Sequence, residues 1–345
     1  MRAATLPLPA PSIPVSVRIG AFCALWASAF SISKIALADC PPLLLLTMRF
    51  LLAGALMLGA AAISGGPMRL TPRKVFIFAA LGIANQAAYL GLSNIGLQSV
   101  SSGLAALIIS ANPVLTSLLA VPFLGEKMSK RKAAGLLLGV LGVLFVVAHR
   151  LGGVVDHPIG IAFTVAALVS MVAGTVLFKK FAPEGELWVG TAVQSLAAGS
   201  ALLPFALTFE SVADIHPSWR LIVTLGYLVL FVSVLAYVLW FHLLTVSGAT
   251  AASSYHFLMP PLGLLFGWVL LGERVAITDL VGIVPVAVGI YLVTHSEDRF
   301  NLKTETERRE AYDEHQSCPM APGLHHQHLG FPHRRHRHHG ASEVV

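Results

Sequence analysis

The chain reads as an all-α membrane protein, with ten transmembrane helices set out as two inverted five-helix repeats. Three features lead there. With 56% hydrophobic and only 12% charged residues over 345 positions, there is too little polar surface to coat a soluble globule of this size. Ten apolar windows are close to the roughly 20 residues that a helix needs to cross about 30 Å of hydrocarbon. A pattern in the first half also recurs 147 positions later: Asn112-Pro113 followed by Gly125-Glu126-Lys127, then Met259-Pro260 followed by Gly272-Glu273-Arg274. The same offset lays Ala105 on Ala252, Leu115 on Leu262, Leu118 on Leu265, Leu124 on Leu271, Gly135 on Gly282 and Gly142 on Gly289.

The windows are 16–37, 43–63, 74–94, 99–123, 132–149, 158–179, 188–208, 219–245, 249–271 and 277–295. The first follows a Pro- and Ala-rich start and is longer than a secretory h-region, so it reads as a retained span. Breakers fall between later windows: Pro41-Pro42, Gly65-Gly66-Pro67, Gly152-Gly153, Pro183-Glu184-Gly185 and His216-Pro217. At these places backbone reaches water or headgroups. The resulting layout is a segment 1–15, a first repeat 16–149, a second repeat 158–295 and a tail 296–345.

Lys and Arg are divided unevenly between the two sides. Arg2, Arg18, Arg69, Arg73, Lys74, Lys127, Lys130, Arg131, Lys132, Lys179 and Lys180 share one side with the tail, against Arg150, Arg220 and Arg274 opposite. The positive-inside rule then puts both termini in the cytoplasm of a multi-pass plasma (inner) membrane protein. Five spans per repeat is an odd number, so the second half enters the bilayer upside down and Glu126 and Glu273 face opposite sides. Such halves can exchange conformations around a central site, which is the logic of alternating access.

The spacing of Trp26, Phe30 and Lys34, the pair Arg49-Phe50, and the two Pro-to-Gly-Glu segments resemble the EamA-like permeases of the drug/metabolite transporter superfamily over about residues 16–295. That resemblance implies export or exchange of small metabolites, often amino acids or related compounds, through a cavity between the halves and without ATP hydrolysis. The second half departs from the pattern, with Ala173 opposite Trp26 and Gln194 near the place of Arg49. A proton-independent exchanger, a channel-like protein and a membrane enzyme are the alternatives. The last lacks an HExxH, a P-loop and a GxSxG.

Candidate substrate-binding residues are the polar or aromatic groups within spans: Trp26, Arg49, Asn85, Tyr89, Asn112, Gln194, His242, Tyr255 and His256. Facing lipid they would be costly, so each either lines a cavity or makes an interhelical hydrogen bond. Arg49 lies about two turns inside its span, where insertion scales charge roughly 2.5 to 3.5 kcal/mol. His242 and His256 are the candidates for proton coupling. Pro113 and Pro260 remove backbone donors and are hinge or kink positions. Gly125 and Gly272 suit left-handed helix caps, leaving Glu126 and Glu273 to reach an amide or a nearby cation.

Gly135-xxx-Gly139 and Gly263-xxx-Gly267 permit close helix contact, within the bundle or in a homodimer. The tail reads as disordered and cytoplasmic, with room for a short helix in the charged run Glu297 to Glu314 before its His-rich end. No cofactor, no metal and no nucleic acid are expected. The partners are a small-molecule substrate and the lipid bilayer.

Overall fold

The computed structural model describes residues 14–63, 70–124, 129–151, 156–181, 187–240, 242–243, 255–289 and 291–292. The tail 296–345, nearly all of the segment 1–15, Gly125, Glu126 and the side chains of Pro113 and His256 lie outside the described residues. Among those described, all regular structure is helical.

Three long helices come first: α1 (Val15–Ala36), α2 (Pro42–Ile63) and α3 (Pro72–Leu97). Thr71 caps α3, its hydroxyl accepting from Lys74 N with Pro72 behind it, a pairing that suits a first helical turn. The fourth window is not one helix but two, α4 (Ser102–Ile109) and α5 (Asn112–Leu124), separated by a turn at 110–111. Pro113 lacks the N–H that would bond back to the last turn of α4, so the helix cannot run through regularly. Then come α6 (Lys130–Leu151), α7 (Pro158–Phe181), α8 (Leu187–Phe209) and α9 (Trp219–Trp240). The described part ends with α10 (Met259–Leu271), entered from a 3-10 turn over Tyr255–Leu258, and α11 (Ile277–Gly289). Pro260 sits in the first turn of α10, where a missing N–H costs nothing.

Six stretches, α1, α2, α3, α9 and most of α7 and α8, are long and apolar enough to cross a membrane. Many of their large apolar side chains face outward, among them Phe76, Val169, Phe205 and Ile222. In lipid that surface is solvated rather than exposed, so an outward apolar belt is the expected state of a membrane bundle. Polar side chains turn inward instead: Arg49, Gln86, Asn94, Asn112 and Gln194 are all buried.

Close approaches show how the helices run past one another. A Cβ on Gly54 of α2 would lie 2.6 Å from Leu196 of α8, and one on Gly199 of α8 would lie 2.9 Å from Leu51. Gly263 and Gly267 of α10 meet Ala106 and Ser102 of α4. Gly289 of α11 meets Gly135 and Gly139 of α6, while Gly282 meets Gly142 and Val146. In each pair residue numbers rise on one helix as they fall on the other, so α2 and α8, α4 and α10, and α6 and α11 are antiparallel. The small-residue faces at Gly135, Gly139, Gly263 and Gly267 are thus used inside the chain rather than presented to a second copy.

Candidate functional site

Two spans leave α-helical geometry in mid-course. In α3, residues Ile83–Ala88 form a π-helical stretch, and in α9 residues Leu228–Leu235 form another. Each projects a polar group toward a helix of the other half. Ser195 of α8 donates to Gln86 Oε1 at 3.1 Å, and Arg49 Nε of α2 donates to Ser233 Oγ at 2.9 Å. Tyr89 directly follows the first stretch and Tyr237 stands two residues past the second, and both lie within electrostatic reach of Arg49.

Arg49 is 5% exposed. Its guanidinium stands over the Phe50 ring at 5.8 Å from the centroid. Trp26 packs edge-on against Tyr237, ring centres 5.9 Å apart, and against Phe22 at 5.7 Å. Phe30 shares a buried cluster with Tyr89. One layer of the bundle therefore gathers a cation, two phenols and several aromatic walls from α1, α2, α3 and α9.

A second group of charges closes one end of the bundle. Gly272 takes the left-handed conformation at φ 64° and ψ 23°, which ends α10. Glu273 then folds back to the start of α4. Its Oε1 accepts from Ser102 N at 2.7 Å, and its Oε2 accepts from Gly103 N at 3.0 Å and from the Ser102 hydroxyl at 3.0 Å. Lys34 of α1 lies 3.4 Å from Glu273 Oε1 and also donates to the Val100 carbonyl. The carboxylate thus satisfies orphan donors at a helix N-terminus, where the dipole favours negative charge. Asp156 joins the same terminus by accepting from Ser101 N at 2.6 Å.

At this end Glu210, just past α8, accepts from Leu43 N and Leu44 N at 2.9 and 2.8 Å and caps α2. Asp39 accepts from Arg220 Nε at 2.7 Å and from the Ser218 hydroxyl at 2.6 Å, with a second Arg220 bond from Nη2. These Arg220 bonds, helped by Ser218, hold the Asp39 carboxyl down from 3.8 to about 2. A depressed carboxyl stabilises the fold above its unfolded value and loses that contribution as pH falls through the folded one. The melting temperature in detergent should therefore drop between about pH 4 and pH 2, and Asp39→Asn should flatten that part of the curve; an unchanged slope would remove Asp39 as its source. Next to it, burial pushes the Cys40 thiol up to about 12 and leaves it a poor nucleophile.

The remaining described candidates make their hydrogen bonds and close approaches elsewhere, although Tyr255 packs against the same buried cluster as Trp26. Asn85 belongs to the first π-helical stretch and presses on Gly174 of α7. Gln194 is buried at the closest approach of α3 and α8, where a Cβ on Gly82 would lie 2.2 Å from its carbonyl oxygen. Asn112 accepts from the Thr116 hydroxyl at 3.1 Å beside the break in α4–α5. His242 Nε2 accepts from Arg18, and the Tyr255 carbonyl accepts from Cys23 at 3.2 Å. Of the eight binding candidates with described side chains, then, Trp26, Arg49 and Tyr89 come together.

Ser233 and Tyr237 were missing from the sequence reading. Shifting Gln86 by 147 gives Ser233, but shifting Tyr89 gives Ala236. The second tyrosine stands one position out of strict register, which hid it.

A model of the EamA-like transporter family matches residues 18–148 and again 158–295. The uncharacterized transporter YvbV of Bacillus subtilis (strain 168) is 30% identical over 271 residues, 78% of this chain and 88% of that one. The uncharacterized inner membrane transporter YedA of Escherichia coli K12 is 26% identical, over 84% of this chain and 94% of its own length. A probable amino-acid metabolite efflux pump of Salmonella typhimurium LT2 is 29% identical over 77% and 90%. One crystal structure of a protein shares the fold at a TM-score of 0.62 and 20% identity, covering 83% of this chain and 98% of that chain.

Proposed function

The chain belongs to the EamA-like transporter family, and on that footing we propose that it is a secondary active transporter that exports small metabolites by alternating access. Ten crossings in two inverted halves, 16–149 and 158–295, with both termini in the cytoplasm, are part of this reading. The observation that carries it is the antiparallel packing of α2 on α8, α4 on α10 and α6 on α11. The helices of the first and third pairs stand 147 positions apart in the repeat, while α10 stands 147 positions after α5, which continues α4 within one window; copies related by inversion must run in opposite senses. Amino acids or related compounds are the cargo class, by analogy with the efflux pump among the relatives.

In this reading the end bearing Glu273 is the outer one, and it is shut. Lys34 and α4 belong to the first half and Glu273 to the second, so the bond set Glu273–Ser102–Gly103–Lys34 joins the halves. Movement of α10 away from α4 would break it and open a path from outside to the aromatic layer around Arg49. His242 and His256 are the proton-coupling candidates.

Counterflow in proteoliposomes tests the proposal. Vesicles loaded with an unlabelled solute should accelerate entry of the same labelled solute for at least one member of a metabolite panel, and a pH gradient should alter net flux if protons are coupled. Folded protein with no counterflow for any member would count against it. Single cysteines at Glu126 and Glu273 should label from opposite sides; labelling from one side would remove the inversion.

A further inference from the structure

The two π-helical stretches occupy one place in the internal repeat. Moved by 147 positions, Ile83–Ala88 becomes 230–235 and falls within Leu228–Leu235. A π-turn gives up helical regularity, occurs mostly as a single turn within an α-helix and is frequent at functional sites. Two at matched positions, each bonded across to α8 or α2, mark one layer of the bundle as special.

The layer is symmetric in backbone but not in charge. Gln86 meets the hydroxyl of Ser195, while Ser233 meets the guanidinium of Arg49. A guanidinium carries five N–H donors, and the single hydrogen bond that Arg49 makes among the described residues uses one of them. Among the described residues no carboxylate pairs with it. A buried cation in that state is costly, and an arriving anion relieves the cost by accepting two N–H bonds from the planar fork. With no acidic group facing the layer among the described residues, the ammonium of a zwitterion would find no counter-charge there. A net charge of −1 is what makes the occupied site neutral. The flat rings of Trp26, Tyr237 and Phe50 add apolar walls that favour a planar body over a short aliphatic one.

We propose that Arg49, Tyr89, Tyr237 and Trp26, set between the two π-helical turns, bind a small organic monocarboxylate with a planar apolar body, Arg49 holding the carboxylate and Tyr237 with Trp26 selecting the body. This rests on the transporter reading only in calling the ligand cargo, and within that reading's cargo class it selects related carboxylates over the zwitterionic amino acids themselves.

The test is equilibrium binding of labelled 3-phenylpropionate to the purified full-length protein in detergent. The ligand should bind saturably, with butyrate, phenylalanine and phenethylamine each competing at least about tenfold more weakly. Arg49→Gln should weaken binding by about tenfold or more, with Arg49→Lys intermediate because it keeps the charge without the fork. Tyr237→Ala should erase most of the preference over butyrate, and Tyr237→Phe should keep it. The competition series uses the unaltered protein, so a variant that fails to fold does not spoil it. Absent binding, equal competition by phenylalanine or phenethylamine, or affinity indifferent to Arg49→Gln overturns the site. In proteoliposomes, a ligand that binds but never exchanges would strike the transporter reading and leave the site standing. Counterflow of another solute that Arg49→Gln leaves unchanged would do the reverse.

Discussion

Replacing Glu273 by Gln should loosen the junction that its carboxylate makes between α10 and α4, the outer closure of the proposed transport cycle. Both oxygens of Glu273 are engaged, by two backbone N–H groups, one hydroxyl and the Lys34 ammonium. The amide of Gln keeps one accepting oxygen and turns a donor toward the others. It also leaves Lys34 without its counter-ion. Hydrogen bonds to a charged group contribute about 1.5 to 3 kcal/mol each, and the Lys34 pair adds little because its side chain is 28% exposed. A net loss of about 2 to 3 kcal/mol shifts the closed-to-open ratio by roughly 30- to 150-fold. Val100, fully buried beside this junction, is the place to read it. A Val100→Cys reporter should react with a membrane-impermeant maleimide far faster in the Glu273→Gln background. If the melting temperature falls while the labelling rate stays the same, Glu273 is a helix cap and no gate.

The second large effect falls on the seam between α6 and α11. A Cβ on Gly289 would lie 2.6 Å from the Gly135 carbonyl oxygen and 2.7 Å from Gly139 N. Those are backbone atoms, which cannot swing aside as a side-chain tip can. Gly289→Ala should cost about 1 to 3 kcal/mol by overpacking and lower the melting temperature by several degrees. Gly289→Leu should leave little monodisperse protein on size exclusion. Gly59, with open space around its Cβ position, is the control, and Gly59→Leu should be neutral. Should Gly289→Leu purify and melt like the unaltered chain, α6 and α11 do not meet as described.

The all-helical membrane class was legible because burial in lipid leaves a compositional mark that needs no tertiary information. The cap chemistry was legible too. Gly272 takes the left-handed conformation, and Glu273 reaches amides and a cation, as the motif suggested. What the motif could not say is whose amides these are: they belong to α4, 170 positions away. The partners of Glu210 and Asp39 were hidden for the same reason, since a carboxylate in a loop carries no address. The fourth window read as one span because apolar periodicity runs on through Ser110 and Ala111, where the backbone does not. Arg49 stood out by its depth, but a π-helical turn has no sequence signature and Tyr237 stands one position off the repeat register, so neither was read as its neighbour.

The seam between α6 and α11 has a consequence for motion. Gly135 is the counterpart of Gly282, and Gly142 of Gly289, so exchanging the roles of the two halves turns the Gly289–Gly135 contact into the Gly142–Gly282 contact already present. The Gly289–Gly139 approach likewise becomes the approach of Gly142 to Val286, also present. If the halves trade shapes as the alternating-access proposal has it, a junction with that property looks identical before and after, so it can stay clasped throughout and act as the bearing on which the other helices swing.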